Sequence, residues 1–280
     1  MIVDARTPRS IVGRAVGVAR GTAAMAGRHP RPRGASVLTY HDVTDDPANP
    51  TEQVSPAVLR AQLMAAVRWG VRFVPLPDLC ERVLRGEPVD GLGVITFDDA
   101  LVGVHRHGIS VLAELDLPAT VFVVSDRLGT EEPAWYPGSD RVMTVDELRE
   151  VAAAGVDVQS HTRTHADLPS IGGADLDREL AGSRAALGDL LGREVCYLAY
   201  PFGHYDARVR TAAREGGYRA AFTFRNGRVV PGLDPYLLPR VPMWTDAGRF
   251  RLAYNLARPT WSFPESQVDS VTRDNRVEGS

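Results

Sequence analysis

Two short runs in this chain combine residue types that do chemistry. Thr96-Phe97-Asp98-Asp99 closes an apolar stretch with adjacent carboxylates, and His161-Thr162-Arg163-Thr164-His165 places two imidazoles four positions apart after Val156–Gln159. Neighbouring carboxylates at the rim of an apolar strand repel one another and desolvate poorly, so something must balance them. Read alone, the pair is a helix N-cap with a solvated neighbour, because Asp is a common cap. The histidines shift that reading. Two His at i and i+4 face the same way on one helical turn, or converge from a compact loop. Neutral imidazole is a common ligand for zinc-like metals, and a carboxylate completes a facial set of three. Three protein ligands leave positions open to water and substrate, which marks a catalytic site rather than a structural one.

Such residues need a frame that brings them together. Strand-like runs at Ser36–Tyr40, Val71–Leu76, Gly93–Phe97, Ala119–Val124, Val156–Gln159, Cys196–Tyr200 and Ala221–Phe224 alternate with amphipathic helical patterns. Ser55-Pro56 supplies a cap and an N1 proline ahead of Val58, Leu59, Leu63 and Val67, and Gly70 closes that segment. Thr144 with Glu147 forms a capping box for a helix reaching Ala154, and Asp175–Leu191 and Asp206–Glu215 repeat the scheme. Strand-helix alternation of this length predicts an α/β fold with a parallel sheet closed into a (β/α)7-8 barrel, whose sites lie at the carboxyl ends of its strands. Residues 35–260 show no internal linker and are expected to form one domain, preceded by a basic arm over 1–34 and followed by a polar tail over 261–280.

The segments VITFDDA, SHTRTH and AYPFGHYD resemble the signatures of the polysaccharide deacetylases, the metal-dependent family also called carbohydrate esterase family 4. LPATVFVV and AGVDVQSHTRTHADL extend the likeness, which runs from about Ser36 to Phe224; the first two signatures together are highly specific. The resemblance implies a distorted barrel and a divalent metal, zinc foremost, with cobalt, nickel, manganese or iron as alternatives. It implies that Asp98 is the catalytic base, that Asp99, His161 and His165 hold the metal, and that the backbone N–H of Phe202 receives the oxyanion. The division is chemically sound. A bound zinc lowers the pKa of water to ~7, a free carboxylate beside it takes the proton, and a backbone N–H stabilises the tetrahedral oxyanion. Gly203 lets the chain turn sharply at that point.

Two departures from the family pattern stand out. Ala199 occupies the position of the Arg that steadies the base, which leaves Tyr200 or the distant Arg240 in LPRVPMW to substitute. The C-terminal Leu-x-x-His that protonates the leaving amine is missing too. Instead SVLTYHDV resembles the opening of the branch typified by poly-N-acetylglucosamine deacetylases, in which an N-terminal His takes the acid role. His41 is therefore the expected acid, with Asp42 as its orienting partner; the alternative is a buried, hydrogen-bonded core histidine. Tyr200, Trp135 and Arg240 are the candidate substrate contacts, and Trp135, Tyr136 and Trp244 could stack on a sugar face or simply pack a loop. His105 and His107 read as solvated, His204 as free to vary, and His29 as part of the arm.

Composition narrows the remaining choices. The chain has 280 residues, 44% hydrophobic and 24% charged, which suits a globular domain and excludes disorder throughout. A net charge of −3 argues against a nucleic-acid partner. Every basic residue is Arg, the bias of a GC-rich bacterial genome. Cys80 and Cys196 are too few for a disulfide scaffold or a cysteine zinc site. No run approaches the roughly 20 apolar residues of a membrane span. The first 33 residues carry seven Arg against Asp4 alone, a net +6 that leaves −9 on the remainder. Arg14 and Arg20 interrupt the one candidate signal core, so a cytoplasmic location is expected, with the arm either solvated or lying on an anionic membrane surface. The reading that results is a metal-dependent hydrolase removing N-acetyl groups from an N-acetylhexosamine-containing glycan or glycoconjugate. Its rivals are a deformylase or amidase on a small non-sugar amide, a non-catalytic glycan-binding module and, last, an iron oxygenase.

Overall fold

The computed structural model describes residues 33–47, 53–138 and 140–243. The expected arm, apart from its last two residues, and the tail lie outside them, as does Trp244. In chain order the elements are β1 (Ser36–Tyr40), β2 (Asp42–Val43), β3 (Gln53–Val54), α1 (Pro56–Arg68), β4 (Arg72–Phe73), α2 (Leu76–Leu84) and β5 (Leu92–Phe97). A π turn over Val104–Gly108 leads into α3 (Ile109–Leu115). There follow β6 (Thr120–Val123), α4 (Val145–Ala153), β7 (Asp157–Ser160), α5 (Gly173–Leu191), β8 (Tyr197–Ala199), α6 (Ala207–Glu215), β9 (Ala220–Asn226) and β10 (Leu238–Pro242).

Seven parallel strands close a ring in the order β1-β10-β9-β8-β7-β6-β5, and five residues of β1 pair with β5 to shut it. Strand β4 pairs with the first two residues of β5. The period-two alternation of strands sorts the core into two clusters. Leu38, Tyr40, Ile95 and Phe97 belong to one that includes Leu59 and Leu63 of α1. Val37, Val94, Phe122, Phe222 and Leu238 belong to the other, joined by Leu76, Leu79, Cys80 and Val83 of α2.

The caps read from sequence hold their helices. The Ser55 side chain accepts from Val58 N at 3.2 Å, Asp206 from Val209 N at 2.8 Å, and Thr144 and Glu147 form the reciprocal box. Several segments differ from expectation. The run Val71–Leu76 yields only the two-residue β4, because Pro75 cannot donate to a ladder and α2 begins at Leu76 with Pro77 in its first turn. Helix α5 begins at Gly173, two residues before Asp175, capped by Gly172 in extended conformation. Strand β10 was not anticipated. Its prolines, Pro239 and Pro242, argue against a strand on sequence alone, and the register with β9 shifts between Leu238 and Arg240 to accommodate Pro239. Among the described residues no helix is long and apolar enough to cross a membrane.

Candidate metal centre and its surroundings

Asp98 and Asp99 follow the last residue of β5, His41 follows β1, and His161 follows β7, so the strand ends deliver these groups to one mouth of the barrel. Because β1 and β5 pair in register, Tyr40 opposite Phe97, His41 and Asp98 emerge side by side, and Asp98 N donates to Tyr40 O at 2.9 Å. Asp99, His161 and His165 are all buried and each turns a ligand atom to a common point. The Nε2 atoms of His161 and His165 lie 3.6 and 3.4 Å from Asp99 Oδ1. Ligands ~2.0–2.1 Å from a tetrahedral zinc stand roughly 3.3 Å apart, so this spacing fits one ion. His161 Nδ1 donates to the Ala199 carbonyl at 2.8 Å, which fixes the tautomer and leaves Nε2 as the lone-pair nitrogen. Burial lowers the His161 pKa to about 4 and, with the charge of His161, that of His165 to about 2, so both imidazoles are neutral donors at physiological pH.

Asp98 is held apart from this trio. Arg240, wholly buried on β10, donates through Nη1 to Oδ1 at 2.7 Å and through Nη2 to Oδ2 at 2.8 Å, while its Nε donates to Thr223 O at 3.0 Å. Burial alone would raise the Asp98 pKa; the charges of Arg240 and His161 and the paired hydrogen bonds outweigh it and hold the carboxyl at about 2. The guanidinium also lies within 6 Å of the Phe122 and Phe224 ring centres, at 5.8 and 5.7 Å. Of the two groups offered for the absent motif Arg, it is thus Arg240 that meets Asp98. Fully enclosed, Arg240 steadies the carboxylate and presents no surface to a substrate. Tyr200 points elsewhere: it too is fully buried, stacked on Tyr205, with its hydroxyl donating to Tyr236 O at 3.2 Å.

The remaining candidates line the mouth. His41 is partly exposed, stacks on Tyr136 with ring centres 5.5 Å apart, and has its pKa lowered by burial against the pull of Asp98. Asp42 does not orient it. Its carboxylate accepts from Val43 N at 2.9 Å and from Gln53 Nε2 at 3.4 Å, on the other side of the strand. Trp135 donates from Nε1 to Asp99 Oδ1 at 3.1 Å and stacks on His165 at 5.1 Å, so it braces two of the three clustered residues. Phe202 is 49% exposed, its ring edge-on to His165 at 4.6 Å. The turn Pro201–Gly203 is closed by Gly203 N to Tyr200 O and His204 N to Pro201 O, bonds in which the Phe202 amide takes no part. Gly203 is obligatory here, since φ is +72° and a Cβ would lie 2.3 Å from Phe224 N. His105, His107 and His204 pair instead with Glu150, Asp45 and Asp167.

Backbone conformation sets this region apart. Of the described non-glycine residues with positive φ, Asp99, Ala100, Thr162, His165 and Phe202 all belong to the three sequence signatures. Each such position costs about 1–3 kcal/mol and persists only where its surroundings over-determine it, which is typical of functional sites.

Comparison with known proteins follows the same lines. Residues 86–221 match the family model described as polysaccharide deacetylase. The Bacillus subtilis (strain 168) protein YxkH is 24% identical over 155 residues, 55% of this chain and 52% of that protein, so the chain spans about half the length of this relative. The poly-beta-1,6-N-acetyl-D-glucosamine N-deacetylase of Staphylococcus aureus (strain MSSA476) is 22% identical over 206 residues, 68% of this chain and 69% of that one. The structure of IcaB from Ammonifex degensii shares the fold with a TM-score of 0.69 at 25% identity, covering 82% of this chain and 100% of that one.

Proposed function

We propose that the chain, whose residues 86–221 match the polysaccharide deacetylase family model, hydrolyses the N-acetyl group of an N-acetylglucosamine-containing glycan, releasing acetate and a free amine. The observation that carries this reading is the buried Asp99, His161 and His165 cluster with a second carboxylate, Asp98, kept ionised beside it by Arg240. A divalent metal held by Asp99, His161 and His165 would supply a Lewis acid for the acyl oxygen and acidify water to a pKa of ~7 in the case of zinc.

The chain's own groups account for the rest. Asp98 takes a proton from the attacking water; both its oxygens bond to Arg240, yet each keeps a second lone pair. So low a carboxyl pKa sacrifices basicity for constant ionisation. The Phe202 N–H donates to the oxyanion as the acyl carbon becomes tetrahedral. His41, beside Asp98 at the mouth, delivers the proton that the leaving nitrogen needs, since an amide cannot expel an unprotonated amine. The rival reading as a non-catalytic glycan-binding module drew its force from the missing motif Arg, and Arg240 removes that reason.

The name of the Staphylococcus aureus relative favours a polymeric substrate, and a nucleotide-linked N-acetylhexosamine is the competing class. Acetate release from both, and from N-acetylglucosamine oligomers, separates them. Chelated protein is compared with zinc- and cobalt-reloaded protein, with Asp98→Asn as control. Metal-restored release absent from the Asn variant supports the reading; tight metal uptake without release from any of these amides counts against deacetylation. The +6 arm is proposed to touch anionic membrane surfaces from a cytoplasmic location, and deletion of residues 1–33 with no change in sedimentation with anionic vesicles would refute it.

A further inference from the structure

We propose that Glu179 is a positioning residue that sets the separation of His161 and His165, an inference that rests on the metal reading above. Glu179 lies on α5 and is buried. Its Oε2 accepts the backbone N–H of both Arg163 and Thr164 at 2.9 Å, and its Oε1 accepts the Thr164 hydroxyl at 2.6 Å. All three donors belong to the stretch between the two histidines. One carboxylate thus satisfies consecutive peptide N–H groups that no helix or strand engages.

The same helix face grips the loop at two further points, at the spacing that places residues three and four apart side by side. Ser183 Oγ meets Ser160 Oγ at 2.9 Å, and Ser160 Oγ in turn accepts from Thr162 N at 3.1 Å. At Gly182 a Cβ would stand 2.9 Å from Arg163 Cδ, so the missing side chain lets the loop lie against the helix. From the opposite side, Ser125 N and Asp126 N donate to the Thr162 and Arg163 carbonyls at 3.0 and 2.9 Å. Between these clamps Thr162 and His165 adopt φ of +69° and +64°. A β-branched residue such as Thr162 does not rest there unaided. The left-handed turns aim both Nε2 atoms at Asp99, and Glu179 is the charged group that holds them in that state.

The test is zinc affinity, measured by chelator competition, together with the visible spectrum of the cobalt-loaded protein and the unfolding temperature of the metal-free protein. Glu179→Gln keeps the shape but sets an amide N–H₂ or a weaker acceptor against donors, and is expected to weaken zinc binding about tenfold to a hundredfold. The cobalt spectrum should change with it. A merely structural Glu179 would lower the metal-free unfolding temperature and leave affinity and spectrum as in the parent, which would overturn the inference. Should Glu179→Gln fail to fold, Thr164→Val decides: it removes the hydroxyl bond and leaves the two backbone bonds, and unchanged zinc affinity in that variant overturns the inference equally. Parent protein that takes up neither zinc nor cobalt sinks the metal reading itself, and the role of Glu179 with it.

Discussion

Arg240 and Asp98 are separated by 142 positions in sequence and meet inside the barrel through two hydrogen bonds of 2.7 and 2.8 Å. Replacing one member of a buried pair strands the other as an uncompensated charge, at a cost of about 3–5 kcal/mol. Arg240→Met should therefore lower the free energy of urea unfolding by that amount, and acetate release should fall because Asp98 loses its fixed orientation. Arg240→Lys keeps the charge without the fork and should recover stability better than activity. The double variant Asp98→Asn with Arg240→Met should be more stable than Arg240→Met alone; strict additivity would show that the two groups are not coupled.

Trp135→Phe keeps an aromatic ring over His165 and deletes the Nε1–H donated to Asp99. Loss of such an outer bond to a metal ligand weakens metal binding by about tenfold to a hundredfold. Zinc titration against a chelator should show it with the unfolding temperature of the metal-free protein little changed.

His41→Gln should reduce turnover of an N-acetylated sugar by about 10²–10⁴, the usual worth of a general acid, while metal uptake stays intact. An aryl acetate, whose leaving group departs without a proton, should be nearly indifferent to the substitution. Equal losses on both substrates would remove His41 from the acid role.

Gly203→Ala places a methyl group against the Phe224 backbone at a φ that disfavours it. Overpacking of this kind costs about 1–3 kcal/mol. The expected result is a lower unfolding temperature together with a larger fall in turnover than the stability loss explains, because Phe202 moves with the turn.

Glu147 closes the cap of α4 and is gripped by Arg141 through two bonds of 2.6 Å. The Arg141 hydrogen bonds, with burial opposing them, hold its pKa down at about 2, against an ordinary value of 4.5. A depressed acid stabilises the fold above its unfolded pKa and loses that contribution as pH falls through the folded value. Glu147→Gln should accordingly cost about 1 kcal/mol near neutrality, the usual worth of a cap. The gap between parent and variant in urea unfolding should narrow as pH falls from 4.5 toward 2.

Much of this was legible in sequence, for identifiable reasons. Asp98 and the clustered Asp99, His161 and His165 sit in short contiguous runs at strand ends, and the helix caps at Ser55, Thr144 and Asp206 are local devices that tertiary packing did not override. What escaped is long-range. Pro239 and Pro242 disguised β10, and with it the strand that delivers Arg240 opposite Asp98. Asp42 follows His41 in sequence, yet strand alternation turns it to the opposite face. Glu179 sits in a helical Asp-Arg-Glu-Leu run that reads as a solvated face, and only the packing of α5 on the 160–165 loop gives it partners.

The ring is shut by β1 lying between β5 and β10, so the first described strand must pair with the last. On a ribosome that order has a consequence. Asp99, His161 and His165 have all been synthesised once residue 165 emerges, yet the barrel cannot close, nor Asp98 find its counter-charge, until some 75 further residues are made, through Arg240. A nascent chain therefore carries the clustered Asp and His residues long before Asp98 is paired. The Asp98–Arg240 pair, and with it the finished mouth of the barrel, arrives only when the ring closes.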